Sequence, residues 1–173
     1  TNKVRLTADD LAAAPRLGLV AVAATGFDVV DVATCKARGV VVSNVRNYAG
    51  ASVTEHVLAL VFALRRNLIG YRDAVAAGRW QEAEQFCFFD YPIETLSGAV
   101  LGIIGGGVLG TGVGEAARAL GMRVQYAGRK GQPPAPGRVA FDEVLATSDV
   151  ISLHCPLTPE TRVLIVGAGL IGL

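Results

Sequence analysis

The chain has 173 residues, 51% apolar and 18% charged, with a formal net charge of +1; this suits one domain, or one domain and part of another, and excludes a disordered polyelectrolyte. Basic residues are scattered apart from Arg65-Arg66 and Arg129-Lys130, which argues against nucleic acid as a partner. Cys35, Cys87 and Cys155 stand too far apart for metal-ligand spacing, and their odd number fits no secreted disulfide framework.

A reducing, cytoplasmic setting is the expectation. No apolar run reaches the roughly 18–20 residues that span a bilayer. No charged leader precedes an apolar core at Thr1, so neither signal peptide nor membrane anchor is expected.

In chain order, Thr7 with Asp10 three residues on predicts a helix start, and Pro15 closes the short "ADDLAAA" segment. "LGLVAVAAT" follows as a buried strand ending at Thr25-Gly26. Asp28 is expected to cap a helix running to Arg38, with Gly39 just past its end, and "VVVSN" is β-rich again. Ser52-Val53-Thr54-Glu55 has the spacing of a capping box. Val53, Val57, Leu60, Val61, Leu64 and Leu68 then recur at helical spacing on one face. His56, in the middle of that helix, is expected to be structural. Residues 71–95 are expected to form an irregular aromatic arm.

From residue 98 the rhythm is strand 99–104, glycine turn, helix 108–120 and strand 122–126. Gly112 and Gly114 are expected to weaken that helix by about 1 kcal/mol each relative to alanine. Leu109, Val113, Ala116, Ala117 and Leu120 still make an apolar stripe. "GRKGQPPAPGR" reads as a loop, "FDEVLATS" as a short helix and "DVISLH" as a buried strand.

Gly105-Gly106-Gly107-Val108-Leu109-Gly110 fits a dinucleotide-binding fingerprint. Gly105 makes the tight turn, Gly107 lets the backbone approach a pyrophosphate, and Gly110 lets helix and strand pack closely. A glycine-rich turn that merely connects two elements has the same composition. Placement straight after a buried strand, before an amphipathic helix and with a second strand following favours the nucleotide reading. The acidic residue expected at the end of that second strand, to bind the ribose hydroxyls, is replaced by Gly128. Arg129 and Lys130 follow it and would attract a 2′-phosphate, so NADP is favoured over NAD; a solvated basic turn is the alternative.

"AATGFDVVD", "CKARGVVVSN", "SVTEHVLALVFALRR", "LGIIGGGVLG" and "SLHCPLTPETR", in this order, resemble the D-isomer-specific 2-hydroxyacid dehydrogenases, near their glycerate dehydrogenase (hydroxypyruvate reductase) branch. The resemblance runs from about residue 1 to 165. It implies an α/β fold: a partial flavodoxin-like substrate-binding segment over 1–46, then a partial NAD(P)-binding Rossmann domain over 47–173 that includes an interdomain helix at 52–69. It implies that backbone amides of Thr25 and Gly26 hold a substrate carboxylate, that Val108 and Leu109 touch the pyrophosphate, and that Cys155, Pro156 and Thr161 line the cofactor loop. His154 falls in that loop and not at the proton donor. The family's catalytic Arg, Glu and His would all lie beyond residue 165.

The resemblance also implies a homodimer built by the helix and arm around 52–95. It implies a small 2-oxoacid or 2-hydroxyacid substrate such as hydroxypyruvate or glyoxylate. The N-terminus is expected to begin mid-domain. The closing "VLIVGAGLIGL", with strand 163–167 and a second glycine motif, is expected to be a truncated or spliced end, because no helix can follow its Gly-rich turn. The expectation is thus the NAD(P)-binding portion of an oxidoreductase, with cofactor binding and little turnover. A non-catalytic nucleotide-sensing or protein-interaction module of the same fold, and a flavoprotein fragment resting on the tail, are the alternatives.

Overall fold

The computed structural model describes residues 1–158 and 160–162. The predicted strand at 163–167 and the second glycine motif lie outside the described residues. The chain divides into two compact units, Thr1–Tyr48 and Ala49–Leu173.

In the first unit, helix α1 (Ala8–Ala12) starts on the predicted Thr7–Asp10 box: the Asp10 carboxylate accepts the Thr7 N–H at 2.8 Å, and Thr7 Oγ1 accepts the Asp10 N–H at 3.3 Å. Strand β1 (Leu19–Val22) pairs in parallel with β2 (Val41–Asn44), Leu19 opposite Val41. The strand ends before the predicted Thr25-Gly26. Side chains take over from the ladder there: Thr25 Oγ1 donates to the Val45 carbonyl and Asn44 Nδ2 to that of Thr25.

Helix α2 (Val32–Ala37) is capped by Asp31 and not by Asp28. The Asp31 carboxylate accepts the Thr34 N–H at 2.9 Å and its hydroxyl at 2.8 Å. The helix starts late because the Leu6 N–H donates to the Val29 carbonyl and the Asp31 N–H to that of Leu6. Leu11, Val20, Val22, Val30, Cys35 and Val40 form this unit's core.

In the second unit, helices α3 (Gly50–Arg65) and α4 (Leu68–Ala76) precede β3 (Val100–Ile104), α5 (Val108–Ala119), β4 (Arg123–Tyr126), α6 (Phe141–Thr147) and β5 (Val150–Leu153). The sheet is parallel throughout, in the order β4-β3-β5. Central β3 is buried at all five positions. Successive side chains leave opposite faces of a strand: Leu101 and Ile103 pack with Val113, Ala117 and Val61, whereas Ile104 packs with Phe141 and Val144. Full burial of such an aliphatic side chain contributes roughly 1.5–3 kcal/mol.

The expectations for α3 and for the aromatic arm are corrected in this unit. The capping box at Ser52–Glu55 does not form. α3 starts three residues earlier than that box would have it, behind Ala49 with no side-chain cap, and Ser52 Oγ turns back to the Ala49 carbonyl. The helix also stops at Arg65, because Asn67 adopts a left-handed φ of 50°. Val61 is buried while Leu64 and Leu68 are 58% and 50% exposed, so the predicted apolar face is interrupted.

Next, residues 71–76 are helical, as part of α4, and only the chain beyond them is irregular. There Tyr71 and Trp80 surround Phe88, and Arg79 holds Asp90 at 2.6 Å. The weakening expected of Gly112 and Gly114 stands, and both also lie at close approaches. A Cβ on Gly112 would lie 3.0 Å from Thr54 Oγ1 of α3, and one on Gly114 would collide with the Tyr126 hydroxyl. The Thr54 and Tyr126 side chains thus come close enough that a larger residue at either position would have to displace them.

Candidate functional site

Buried β3 delivers the chain at its C-terminal end into the turn Gly105–Gly107. Gly105 sits at φ 102°, and a Cβ there would lie 2.5 Å from the Cys155 nitrogen, since the chain leaving β5 crosses it directly. A Cβ on Gly110 would run into the Gly105 carbonyl oxygen. The turn therefore closes only with glycine at both positions. Gly107 caps α5 in extended conformation without a side-chain cap. The N–H groups of Val108, Leu109 and Gly110 have no acceptor among the described residues. Unpartnered amides, together with the partial positive charge of a helix N-terminus, favour an anionic oxygen.

Beside this turn lies a cleft of about 920 Å³. Gly105, Arg129, Lys130, Cys155, Pro156 and Thr161 line it, as do Gly106 and Gly128. Gly107, Val108, Leu109 and Gly110 are outside that lining, at the first turn of α5, with Val108 59% exposed. The loop 129–138 folds back over the end of β4, so a Cβ on Gly128 would lie 3.2 Å from Pro134 Cα. A carboxylate at 128 would require this loop to move. Arg129 and Lys130 are exposed, and Lys130 Nζ lies 5.6 Å from the centre of the Phe141 ring.

The cleft also holds Arg138, Thr158 and Glu160, none of which the sequence singled out. The Arg138 guanidinium stacks 5.1 Å from the centre of the Tyr126 ring and covers Gly106, where a Cβ would meet its Cζ at 2.8 Å. Thr161 Oγ1 donates to the Pro156 carbonyl at 2.6 Å and accepts the Thr158 N–H at 2.7 Å, which closes the loop below β5. A hydrogen bond from Thr158 holds the Glu160 carboxyl below its ordinary pKa, and it stays ionised. The only sequence signal for Thr158 and Glu160 is their place inside "CPLTPETR".

The backbone N–H of His154 donates to the Ile104 carbonyl at 2.7 Å, and its ring Nε2 lies 2.8 Å from Ser152 Oγ. Burial pushes its pKa down, so the ring is neutral at pH 7 and a poor proton donor. His56 is exposed on α3. In the first unit, the N–H groups of Thr25 and Gly26 lack an acceptor among the described residues. A Cβ on Gly26 would lie 3.3 Å from Asp28 Oδ1. Among the described residues no group of three or more His, Cys, Asp and Glu could hold a metal ion, and no helix is long and apolar enough to cross a membrane.

Residues 58–171 match the family model described as D-isomer specific 2-hydroxyacid dehydrogenase, NAD binding domain. The chain is 50% identical over 161 residues to a glycerate dehydrogenase of Methylorubrum extorquens, covering 93% of this chain and 50% of that protein. Among solved structures it resembles a D-lactate dehydrogenase from Aquifex aeolicus complexed with NAD and lactic acid. That likeness has a TM-score of 0.77 and 32% identity, over 91% of this chain and 47% of the other. It also resembles an acyclic imino acid reductase in complex with NADPH and D-Arg, with a TM-score of 0.81 and 27% identity over 94% and 52%. The chain thus spans about half the length of the curated relatives it matches.

Proposed function

The chain belongs to the D-isomer-specific 2-hydroxyacid dehydrogenase family, and on that premise we propose that it is the nicotinamide-nucleotide-binding portion of a reductase of small 2-oxoacids such as hydroxypyruvate or glyoxylate. The observation that carries this is the row of unpartnered amides at Val108, Leu109 and Gly110 beside the 920 Å³ cleft. The amides hold the pyrophosphate, Gly107 admits it with open space above, and the Cys155–Thr161 loop bounds the cofactor on the β5 side. When bound, the nicotinamide carries a hydride to or from the 2-carbon of the acid.

In the first unit, taken as 1–46 and ending close to the compact boundary at Tyr48, the Thr25 and Gly26 amides receive the substrate carboxylate. NADP is the preferred form, because Gly128 leaves no carboxylate to bind a free 2′-hydroxyl or repel a 2′-phosphate and cations surround the cleft. The helix–arm region supports a homodimer, since Leu68, Ile69, Trp80, Phe86 and Phe89 are each at least half exposed. Three free cysteines suit a reducing cytoplasm.

Calorimetric titration of the folded chain with NADPH and NADH tests the nucleotide reading. Saturable binding of both, tighter for NADPH, is expected. A folded sample that responds to neither overturns it.

A further inference from the structure

We propose that Arg138, rather than the adjacent pair Arg129-Lys130, is the side chain that selects a 2′-phosphorylated nucleotide, an inference that rests on the nucleotide reading above. In a sheet of this kind the adenosine ribose lies between the glycine turn after the first strand and the end of the second, where a carboxylate would take its hydroxyls. Here those two places are Gly106 and Tyr126–Gly128, and the Arg138 guanidinium lies between them, against Gly106 and on the Tyr126 ring.

Its placement is fixed by backbone. The Val139 N–H donates to the Tyr126 carbonyl at 2.9 Å, and the Gly128 N–H to that of Val139 at 2.8 Å, so the loop leaves and rejoins the end of β4 at one point. Arg138 is the residue just before that junction, with its own N–H bonded to Ala135. It is partly buried, whereas Arg129 and Lys130 are exposed. Its charge is uncommitted: among the described residues Arg138 enters none of the ion pairs Arg65–Glu94, Arg72–Asp73 and Arg79–Asp90 and faces no other carboxylate partner. A planar guanidinium stacked on an aromatic ring still offers its edge to two phosphate oxygens, which an ammonium cannot match. Gly128 completes the arrangement: the folded-back loop crowds the place of the competing carboxylate.

The test measures dissociation constants for NADPH and NADH with the whole chain and with Arg138→Ala, Arg138→Lys and Arg129→Ala, folding being checked by circular dichroism. Arg138→Ala is expected to weaken NADPH roughly ten- to a hundredfold, the loss of a charge-assisted pair, while NADH changes less than about twofold. Arg138→Lys keeps a charge without the fork and falls between. Should Arg138→Ala fail to fold, Arg138→Lys together with competition by 2′,5′-ADP against 5′-ADP on the unaltered chain decides. The 2′-phosphate is expected to tighten binding in the unaltered chain and to do so several-fold less in Arg138→Lys.

Equal losses for both nucleotides would place Arg138 at the pyrophosphate and overturn the assignment. So would an unchanged NADPH-to-NADH ratio in either Arg138 variant, or a ratio abolished by Arg129→Ala alone. Those outcomes leave the nucleotide reading standing. Failure of the unaltered chain to bind either nucleotide sinks that reading and the Arg138 assignment with it.

Discussion

Two loops at the C-terminal end of the parallel sheet, the turn after β3 and the longer loop after β4, are suited to an anion by opposite means. The first works through backbone: glycines at 105 and 110 bring the chain so close to itself that only amides face outward. The second works through side chains: a Pro- and Gly-rich segment returns to β4 and lays a guanidinium across the first. A backbone site is tied to the stability of the fold, because the atoms that bind are those that close the turn. A side-chain site can change its ligand at little cost to folding, so we assign general affinity to the first loop and discrimination to the second.

The largest expected effect lies in the first loop. Gly110→Ala places a Cβ against the Gly105 carbonyl oxygen, and overpacking of this kind costs roughly 1–3 kcal/mol. Urea unfolding should register that loss, and titration should find both nucleotides below detectable binding. A stable variant with intact binding would show that closure of the turn does not need glycine. Gly114→Ala extends the test to the helix behind the turn. Helix propensity alone forecasts a gain of about 1 kcal/mol. Collision with the Tyr126 hydroxyl forecasts a net loss instead, about 1–2 kcal/mol. A higher denaturation midpoint in this variant would mean that Tyr126 moves aside freely.

In the second loop the expected effects are smaller and specific to one ligand. Arg129→Ala should change NADPH binding by less than about threefold, as fits an exposed charge screened by solvent. A larger change, measured beside Arg138→Ala, would move discrimination to the start of the loop.

Away from both loops, Asp31 gives the smallest effect. Hydrogen bonds from the backbone and side chain of Thr34 hold its carboxyl below the ordinary value of 3.8. The folded pKa being the lower, its contribution is present above that value and is lost as pH falls through the folded one. Asp31→Asn should therefore lower the melting temperature slightly at neutral pH and flatten its fall below about pH 4. An unaltered acid slope would remove Asp31 from the account.

These contrasts also explain what was legible in the sequence. Alternating buried strands and helices are written in local apolar patterns, and the glycine turn in local spacing, so β3, α5 and Gly105–Gly110 are legible in the sequence. Asp31 displaced Asp28 as a cap only because Leu6, far off in sequence, pairs with residues 29–31. α3 outran its apparent capping box for want of any side chain that stops it at Ser52. Arg138 carries no motif at all. Its position depends on Val139 rejoining Tyr126 across the intervening loop, a long-range pairing that no window of sequence displays.

The most direct test of the central claim, that the amides opening α5 receive a diphosphate, is a titration of the isotope-labelled chain with NADPH followed by amide nuclear magnetic resonance. The largest shifts are expected on residues 107–110 and should saturate together. Saturating binding with those amides unmoved, or no shift anywhere in a folded sample, would contradict that claim.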